Sequence, residues 1–164
     1  MLSNRRNTAI LLILAVSLLP TGCYTFNPRG KSTTTTLAVE PFENQTPQYG
    51  LADLMTEAVV DAFIADGTMK VVSPEVAEAV LIGKLTRYER NAYEFDENDQ
   101  VSRYKVLVGV DVALQNPSDR ADIWSIQLTL DGIYDADSQT EEDGQRSVAD
   151  QLVEAVLNKT TKSW

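Results

Sequence analysis

The chain has 164 residues, a formal net charge of −10, no histidine and a single cysteine. This acidic excess argues against nucleic acid as a partner, because binding a polyanion requires basic residues that replace its counterions. One cysteine provides neither a disulfide nor a multi-thiolate metal site. The sequence also lacks the GxSxG and GxxxxGK[ST] motifs. We therefore expect a protein that is not an enzyme and that binds no metal or other cofactor non-covalently.

The first 22 residues have the pattern of a bacterial signal peptide. Arg5 and Arg6 precede a run of eleven residues, 9–19, that is apolar except for Ser17. A helix of that length covers roughly 16 Å of a hydrocarbon core about 30 Å thick, so cleavage is favoured over a retained membrane span. Removal of residues 1–22 leaves 142 residues and a formal charge of 12 − 24 = −12.

Cys23 follows a stretch that resembles a lipobox, Leu19-Pro20-Thr21-Gly22-Cys23. The resemblance implies that Cys23 carries a diacylglyceryl group and an N-acyl chain, which anchor a protein without spanning the bilayer. The alternative is an ordinary signal peptide that leaves a free thiol. Residues 23–36 are rich in Thr, Pro, Gly and Asn and have no helical period. They predict a flexible tether that reaches at most about 45 Å.

Residues 37–164 are expected to form one domain that begins with a β-α-β unit. Residues 37–39 alternate as a short strand, and 43–48 are predicted to form a loop. A helix follows and ends at Gly67. Its apolar stripe consists of Leu51, Leu54, Met55, Ala58, Val59, Ala62 and Phe63. A brief β segment at 70–72 completes the unit.

Three longer strands and a helix complete the predicted domain. The first strand covers 80–88, with Leu81, Gly83 and Leu85 expected to face inward, and residues 96–99 form a turn. Strict alternation of apolar residues then predicts a long hairpin over 101–134. After a polar linker at 135–144, a stripe predicts the closing helix. That stripe consists of Val148, Leu152, Val153, Val156 and Leu157.

The predicted fold is α+β, in the order β-α-β-β-β-α. Two amphipathic helices would pack on one face of a roughly four-stranded mixed sheet. Leu107, Ala113 and Ile133 lie on the opposite side of the hairpin, so that face is partly apolar. Two interpretations remain open for it: a docking surface, or a solvated face with scattered apolar residues.

The sequence has two acidic clusters, and neither is specific evidence of a metal site or an active site. The first contains Asp135, Asp137, Glu141, Glu142 and Asp143, whose spacing departs from that of a calcium loop. The second contains Glu94, Asp96, Glu97 and Asp99, which fit a hairpin turn kept soluble better than a pair of catalytic carboxylates.

Several segments, taken in order, resemble the LptE family of lipopolysaccharide-assembly lipoproteins, and the resemblance covers nearly all of residues 22–160. The segments are Gly22-Cys23-Tyr24-Thr25-Phe26, Leu37–Thr46, Gly50–Ala58, Ala79–Leu85 with Tyr88, Val101–Tyr104 and Ile123-Trp124. The resemblance implies an outer-membrane lipoprotein whose domain lies on the periplasmic side. Such a protein plugs an LptD-like β-barrel translocon and helps lipopolysaccharide reach the cell surface.

The densest basic set in the mature chain is a candidate contact for lipopolysaccharide phosphates. It consists of Lys84, Arg87, Arg90, Arg103 and Lys105. The alternative is that these residues prevent aggregation at exposed strand edges. Two other functions also remain open. One is an envelope activator lipoprotein of the CsgG or penicillin-binding-protein-activator type, and the other is an unrelated envelope enzyme.

Overall fold

The computed structural model of the protein describes residues 34–162, which belong to one compact unit. The predicted signal peptide, Cys23 and most of the predicted tether lie outside these residues. In chain order the elements are β1 Thr36–Val39, β2 Glu43–Asn44, α1 Leu51–Asp66, β3 Lys70–Val71, β4 Ala79–Phe95, β5 Val101–Gln115, β6 Asp122–Asp135 and α2 Glu141–Lys162. β1 starts at the last residue assigned to the tether. Among the described residues, neither helix has the length and apolar character needed to cross a membrane.

The strands form a single mixed sheet in the order β3-β1-β4-β5-β6, with β2 also paired to β4. β1 runs parallel to β3 and β4, whereas β4, β5 and β6 are antiparallel neighbours. The α+β class and the element order are confirmed. The predicted number of strands was too low, since the sheet has six. The missed strand, β2, has two residues that are both exposed, so it carries no alternating pattern.

Both helices bury the predicted stripes against the same face of this sheet, which we call the helix face. α1 contributes Leu51, Met55, Val59 and Phe63, and α2 contributes Val148, Leu152 and Val156, all at most 1% exposed. α1 ends as predicted at Gly67, whose left-handed backbone (φ 67°) lets its N–H bond to the Phe63 carbonyl.

The inward residues of β4 are also confirmed. Leu81 and Leu85 are fully buried, and the Phe42 ring lies directly on Gly83. A Cβ atom at position 83 would come within 2.4 Å of that ring, so any other residue there would have to displace the ring. On the opposite side of the sheet, which we call the free face, Ala113 is buried and Ile133 is 36% exposed.

β4 is longer than predicted and extends from Ala79 to Phe95 rather than ending at Tyr88. Its last residues are exposed on both sides, which removes the apolar alternation by which a strand is recognised. The turn that follows lies where it was expected. There the Asp96 carboxylate accepts the N–H groups of Asn98 and Gln100, each at 2.8 Å.

Candidate lipid- and partner-binding surfaces

The structure brings four of the five basic residues of the candidate lipid site to the free face. Lys105 pairs with Asn91, and a register shift after Leu85 aligns Arg87 with Gly109. Because side chains alternate along a strand, Lys84, Arg87, Arg103 and Lys105 all point away from the helices. Arg90 pairs with Val106 and points to the helix face. The five residues therefore do not form a single patch.

Each of these five cations has a carboxylate partner. The nitrogen–oxygen distances are 3.8 Å for Lys84–Glu43, 2.7 Å for Arg87–Glu89, 3.3 Å for Arg90–Glu141, 3.1 Å for Arg103–Glu94 and 3.6 Å for Lys105–Asp131. All five cations remain partly exposed to solvent. A lipid phosphate that contacts any of them would have to compete with a carboxylate of this chain.

Arg90 is the centre of a polar cluster that links the sheet to α2. Its guanidinium lies over the Tyr104 ring, 3.7 Å from the ring centre, and its Nε donates a hydrogen bond to the Tyr134 hydroxyl. Tyr104 and Tyr134 stack across the β5–β6 pair with 5.5 Å between ring centres. Nε also lies 3.3 Å from Glu141, in the first turn of α2.

Tyr88 extends this Arg90 cluster to the body of α2. Its hydroxyl donates to the Glu141 carboxylate at 2.5 Å and accepts a hydrogen bond from Gln145 at 3.0 Å. Burial raises the pKa of Tyr88, and its hydrogen bond to Glu141 raises the pKa further. The hydrogen bond to Tyr134 raises the pKa of Arg90. Tyr88 thus remains a neutral donor and Arg90 a cation throughout the physiological range.

Sequence reasoning missed the Arg90 cluster. The predicted period of β5 places Tyr104 on the inward face, which could have indicated one of the two stacked rings. Glu141 follows Tyr88 by 53 residues and belongs to a different element, so no local pattern connects the two.

A groove of about 540 Å³ crosses the free face between β1 and β6. Ile82 and Ala113 contribute apolar surface to it. Four carboxylates also line it, those of Glu40, Glu43, Asp111 and Asp122. Glu40 is bonded to Arg120 at 2.9 Å, and Glu43 is paired with Lys84. The acidic lining favours neutral or cationic groups over phosphate.

The distal end of the β4–β5 hairpin exposes two aromatic side chains. Tyr93 is 43% exposed and Phe95 is 61% exposed. Lys105 Nζ lies 4.3 Å from the centre of the Tyr93 ring, within the range of a cation–π contact. The Lys105 cation therefore lies beside exposed aromatic surface, next to the acidic turn at 96–99.

The acidic loop before α2 has a structural role in the helix start. The Asp143 carboxylate accepts both the backbone N–H and the hydroxyl of Thr140, each at 2.8 Å, as a capping residue does. These bonds lower the pKa of Asp143. Within residues 34–162, no group of three or more His, Cys, Asp or Glu side chains is arranged to hold a metal ion.

Comparisons with solved structures show which proteins share this fold. Protein XCC0632 from Xanthomonas campestris is 17% identical with a TM-score of 0.58, and the match covers 82% of this chain and 87% of that one. CT253 from Chlamydia trachomatis is 11% identical with a TM-score of 0.52, covering 77% and 96%. The PelC dodecamer from Paraburkholderia phytofirmans is 22% identical with a TM-score of 0.51, covering 76% and 86%. At these identities, the comparisons show the fold alone.

The sequence also matches a family model. No curated protein shows a significant match to the chain. The model of the LptE family, described as lipopolysaccharide-assembly, matches residues 34–160. That range contains every strand and nearly all of both helices. The resemblance to this family is confirmed over residues 34–160, a range that leaves out the segment 22–26, and the chain belongs to the LptE family of lipopolysaccharide-assembly proteins.

Proposed function

We propose that this protein is an outer-membrane lipoprotein that binds and plugs an LptD-type β-barrel translocon and so supports the transport of lipopolysaccharide to the cell surface. The family match over residues 34–160 is the observation that carries this proposal. Because the match spans the folded domain, we assign the activity to that domain. The activity is binding rather than catalysis, and it uses no cofactor besides the acyl chains on Cys23.

The position of Cys23 supports attachment to the periplasmic side of the outer membrane. Twelve residues, 24–35, separate Cys23 from the start of β1 at Thr36. A chain of that length spans at most about 45 Å when fully extended. The domain therefore stays close to the bilayer in which its barrel partner resides.

The shape of the sheet supports a role inside a barrel. β4 has 17 residues, which at about 3.3 Å per residue correspond to roughly 55 Å. The apolar band of an outer-membrane barrel is about 25 Å tall. The central hairpin is thus long enough to extend through the membrane-embedded part of a barrel lumen.

Labelling with palmitate tests the anchor. The wild-type protein should incorporate label and remain with the outer-membrane fraction, whereas Cys23→Ser should do neither, because the chain has no other cysteine. Thr25→Ser is the matched control and should be labelled like the wild type. Absence of label from the wild-type protein would contradict the proposed anchor.

Depletion and co-purification test the role in transport. Affinity purification in mild detergent should recover a large β-barrel in stoichiometric amount. Depletion should lower the amount of folded barrel and leave lipopolysaccharide short of the cell surface. Recovery of a cell-wall synthase instead of a barrel, with normal surface lipopolysaccharide, would contradict the proposal.

A further inference from the structure

The outer edge of β6 has unpaired backbone groups. β6 is the last strand of the sheet, and among residues 34–162 it pairs only with β5. Near the end of that pair, the Ala136 N–H donates to the Ser102 carbonyl. The carbonyl of Asp131 is instead bonded to the Gln151 side chain of α2, at 2.6 Å, and so points away from β5.

These two bonds determine which groups face outward. In an antiparallel pair, successive residues of a strand alternate between bonding to the neighbour and facing away from it. The backbone N–H and C=O groups of the even-numbered residues of β6 therefore bond to β5. Those of the odd-numbered residues, including Asp131, face outward. Ser125, Gln127 and Thr129 belong to that set, and within the described part of the chain their outward N–H and C=O groups have no partner. We call these groups the β6 edge.

The β6 edge lacks the features that protect edge strands. Residues 123–130, with the sequence IWSIQLTL, contain no charged residue and no proline, and the pairing register is regular from Ser125 to Asp135. The other long unpaired edge, on the distal part of β4, carries Arg87, Glu89, Arg90 and Glu94 and has pairing irregularities on both sides of Glu94. Charges and bulges of that kind discourage strand addition, and β6 has neither here.

Half-buried apolar side chains alternate along β6 with the residues of the β6 edge. Ile126, Leu128 and Leu130 point to the helix face but are only partly buried by α2. An added strand would cover these side chains while pairing the free backbone groups. Strand addition in this manner combines main-chain hydrogen bonds with pockets for alternate side chains.

The negative charges at the two ends of the β6 edge indicate which kind of strand could pair with it. Asp122 and Asp131 flank the uncharged segment. Antiparallel pairing of two copies centred on Gln127 would place Asp131 of one copy opposite Ile123 and next to Asp122 of the other. Like charges at such positions are unfavourable, and both copies have a strong negative charge. A strand with basic residues at its ends and an uncharged middle is complementary.

We propose that the β6 edge binds an extended segment of the barrel partner by strand addition, and that this segment is uncharged where it faces residues 123–130 and has basic residues at its ends. The inference rests on the proposed function for the identity of the partner.

Hydrogen exchange of the full-length lipoprotein in detergent, with and without the barrel, tests the proposal at single residues. Strand addition should slow exchange at the amides of Ser125, Gln127 and Thr129 by roughly tenfold or more, since these groups gain hydrogen bonds only in the complex. The amides of Ile126 and Leu128 are bonded to β5 in both states and should change much less. This alternation distinguishes strand addition from general shielding.

A proline variant provides an independent test. Gln127→Pro removes an outward N–H that makes no bond within the sheet, and edge positions of this type tolerate proline. We expect recovery of the barrel complex to fall roughly tenfold, because several main-chain hydrogen bonds are lost together. Gln127→Ala keeps the N–H and should bind like the wild type. The circular dichroism of both variants shows whether the domain remains folded.

The outcomes separate the two proposals. A stable barrel complex in which the outward amides exchange as they do in the free protein overturns the β6 assignment and leaves the proposed function intact. Failure to form any barrel complex overturns the proposed function. Protection that appears with rising protein concentration in the absence of the barrel assigns the edge to a second copy and also overturns the inference. If Gln127→Pro unfolds, the exchange pattern of the wild-type protein alone decides.

Discussion

The guanidinium carbon of Arg90 lies 3.7 Å from the centre of the Tyr104 ring, in the distal half of the β4–β5 hairpin. The same side chain reaches Glu141 at the start of α2. The contact therefore fastens the helix start to the end of the core, where Tyr134 is 4% exposed and Tyr104 packs against the buried residues. A cation over an aromatic ring contributes about 0.5–1 kcal/mol at a partly exposed site.

Replacement of Arg90 should loosen this connection. Arg90→Ala removes the ring contact, the hydrogen bond to Tyr134 and the ion pair with Glu141. Since Arg90 is 41% exposed, solvent screening limits the expected loss to about 1 kcal/mol of unfolding free energy. That loss corresponds to a fall of roughly 3–5 °C in the thermal midpoint, measured by circular dichroism in detergent.

Arg87→Ala is the matched control for this prediction. Arg87 is also paired with a glutamate, but it lies on the free face and is 57% exposed. We expect a change of less than about 0.5 kcal/mol. Equal losses in the two variants would show that the aromatic contact contributes nothing beyond an exposed ion pair.

The contact between Phe42 and Gly83 predicts a stronger effect in the core. A Cβ at position 83 would lie 2.4 Å from the Phe42 ring, so Gly83→Ala must displace that ring. Overpacking of this kind costs about 1–3 kcal/mol, which denaturant unfolding would detect. Phe42→Leu creates space for the methyl group, and the double variant should be more stable than the sum of the single losses predicts. Additive losses would contradict the steric explanation.

Local patterns predicted the elements that have one buried side. α1, α2 and the β5–β6 hairpin have such a pattern, and in all three most of the fully buried apolar residues are expected ones, although α2 also buries Gln145, Ala149 and Thr160. β2 and the distal part of β4 are exposed on both sides, so their residues carry no period. Hydrogen bonding to a neighbouring strand, which the sequence does not display, determines those segments.

The candidate lipid site was likewise predictable only as far as local patterns reach. The density of basic residues on β4 and β5 was visible in the sequence, and alternation explains why four of them share the free face. Their carboxylate partners were not visible. Lys84 pairs with a residue of β2 and Arg90 with a residue of α2, and both contacts depend on how distant elements meet.

The cap at Asp143 predicts a dependence of stability on pH. The backbone N–H and the hydroxyl of Thr140 hold the pKa of Asp143 below its ordinary value of 3.8. A carboxyl group with a lowered pKa in the folded state stabilises the protein above its unfolded pKa, and this contribution is lost as the pH falls through the folded pKa. Thermal midpoints of the wild type and Asp143→Asn should therefore differ at about pH 6 and converge below about pH 3.

The Thr140→Ala background provides the control for this titration. It removes the hydroxyl donor and leaves the backbone donor, so the pH-dependent difference caused by Asp143→Asn should become smaller. A difference that is constant from neutral to acidic pH would contradict a stabilising role for the ionised carboxylate.

The ion pair between Lys105 and Asp131 allows a test of lipid binding, because removing the cation and removing the carboxylate should change the affinity in opposite directions. Lys105 Nζ lies 3.6 Å from the Asp131 carboxylate, so a lipid phosphate at Lys105 would have to displace that carboxylate. If Lys105 contacts lipopolysaccharide, Lys105→Ala should weaken binding to the purified lipoprotein, whereas Asp131→Asn should strengthen it. Each change should be about two- to fivefold, the range of an exposed ion pair. Added salt should reduce both effects, because it screens exposed charges. Weaker binding in both variants, or no change in either, would favour the alternative that these residues only keep an exposed sheet soluble.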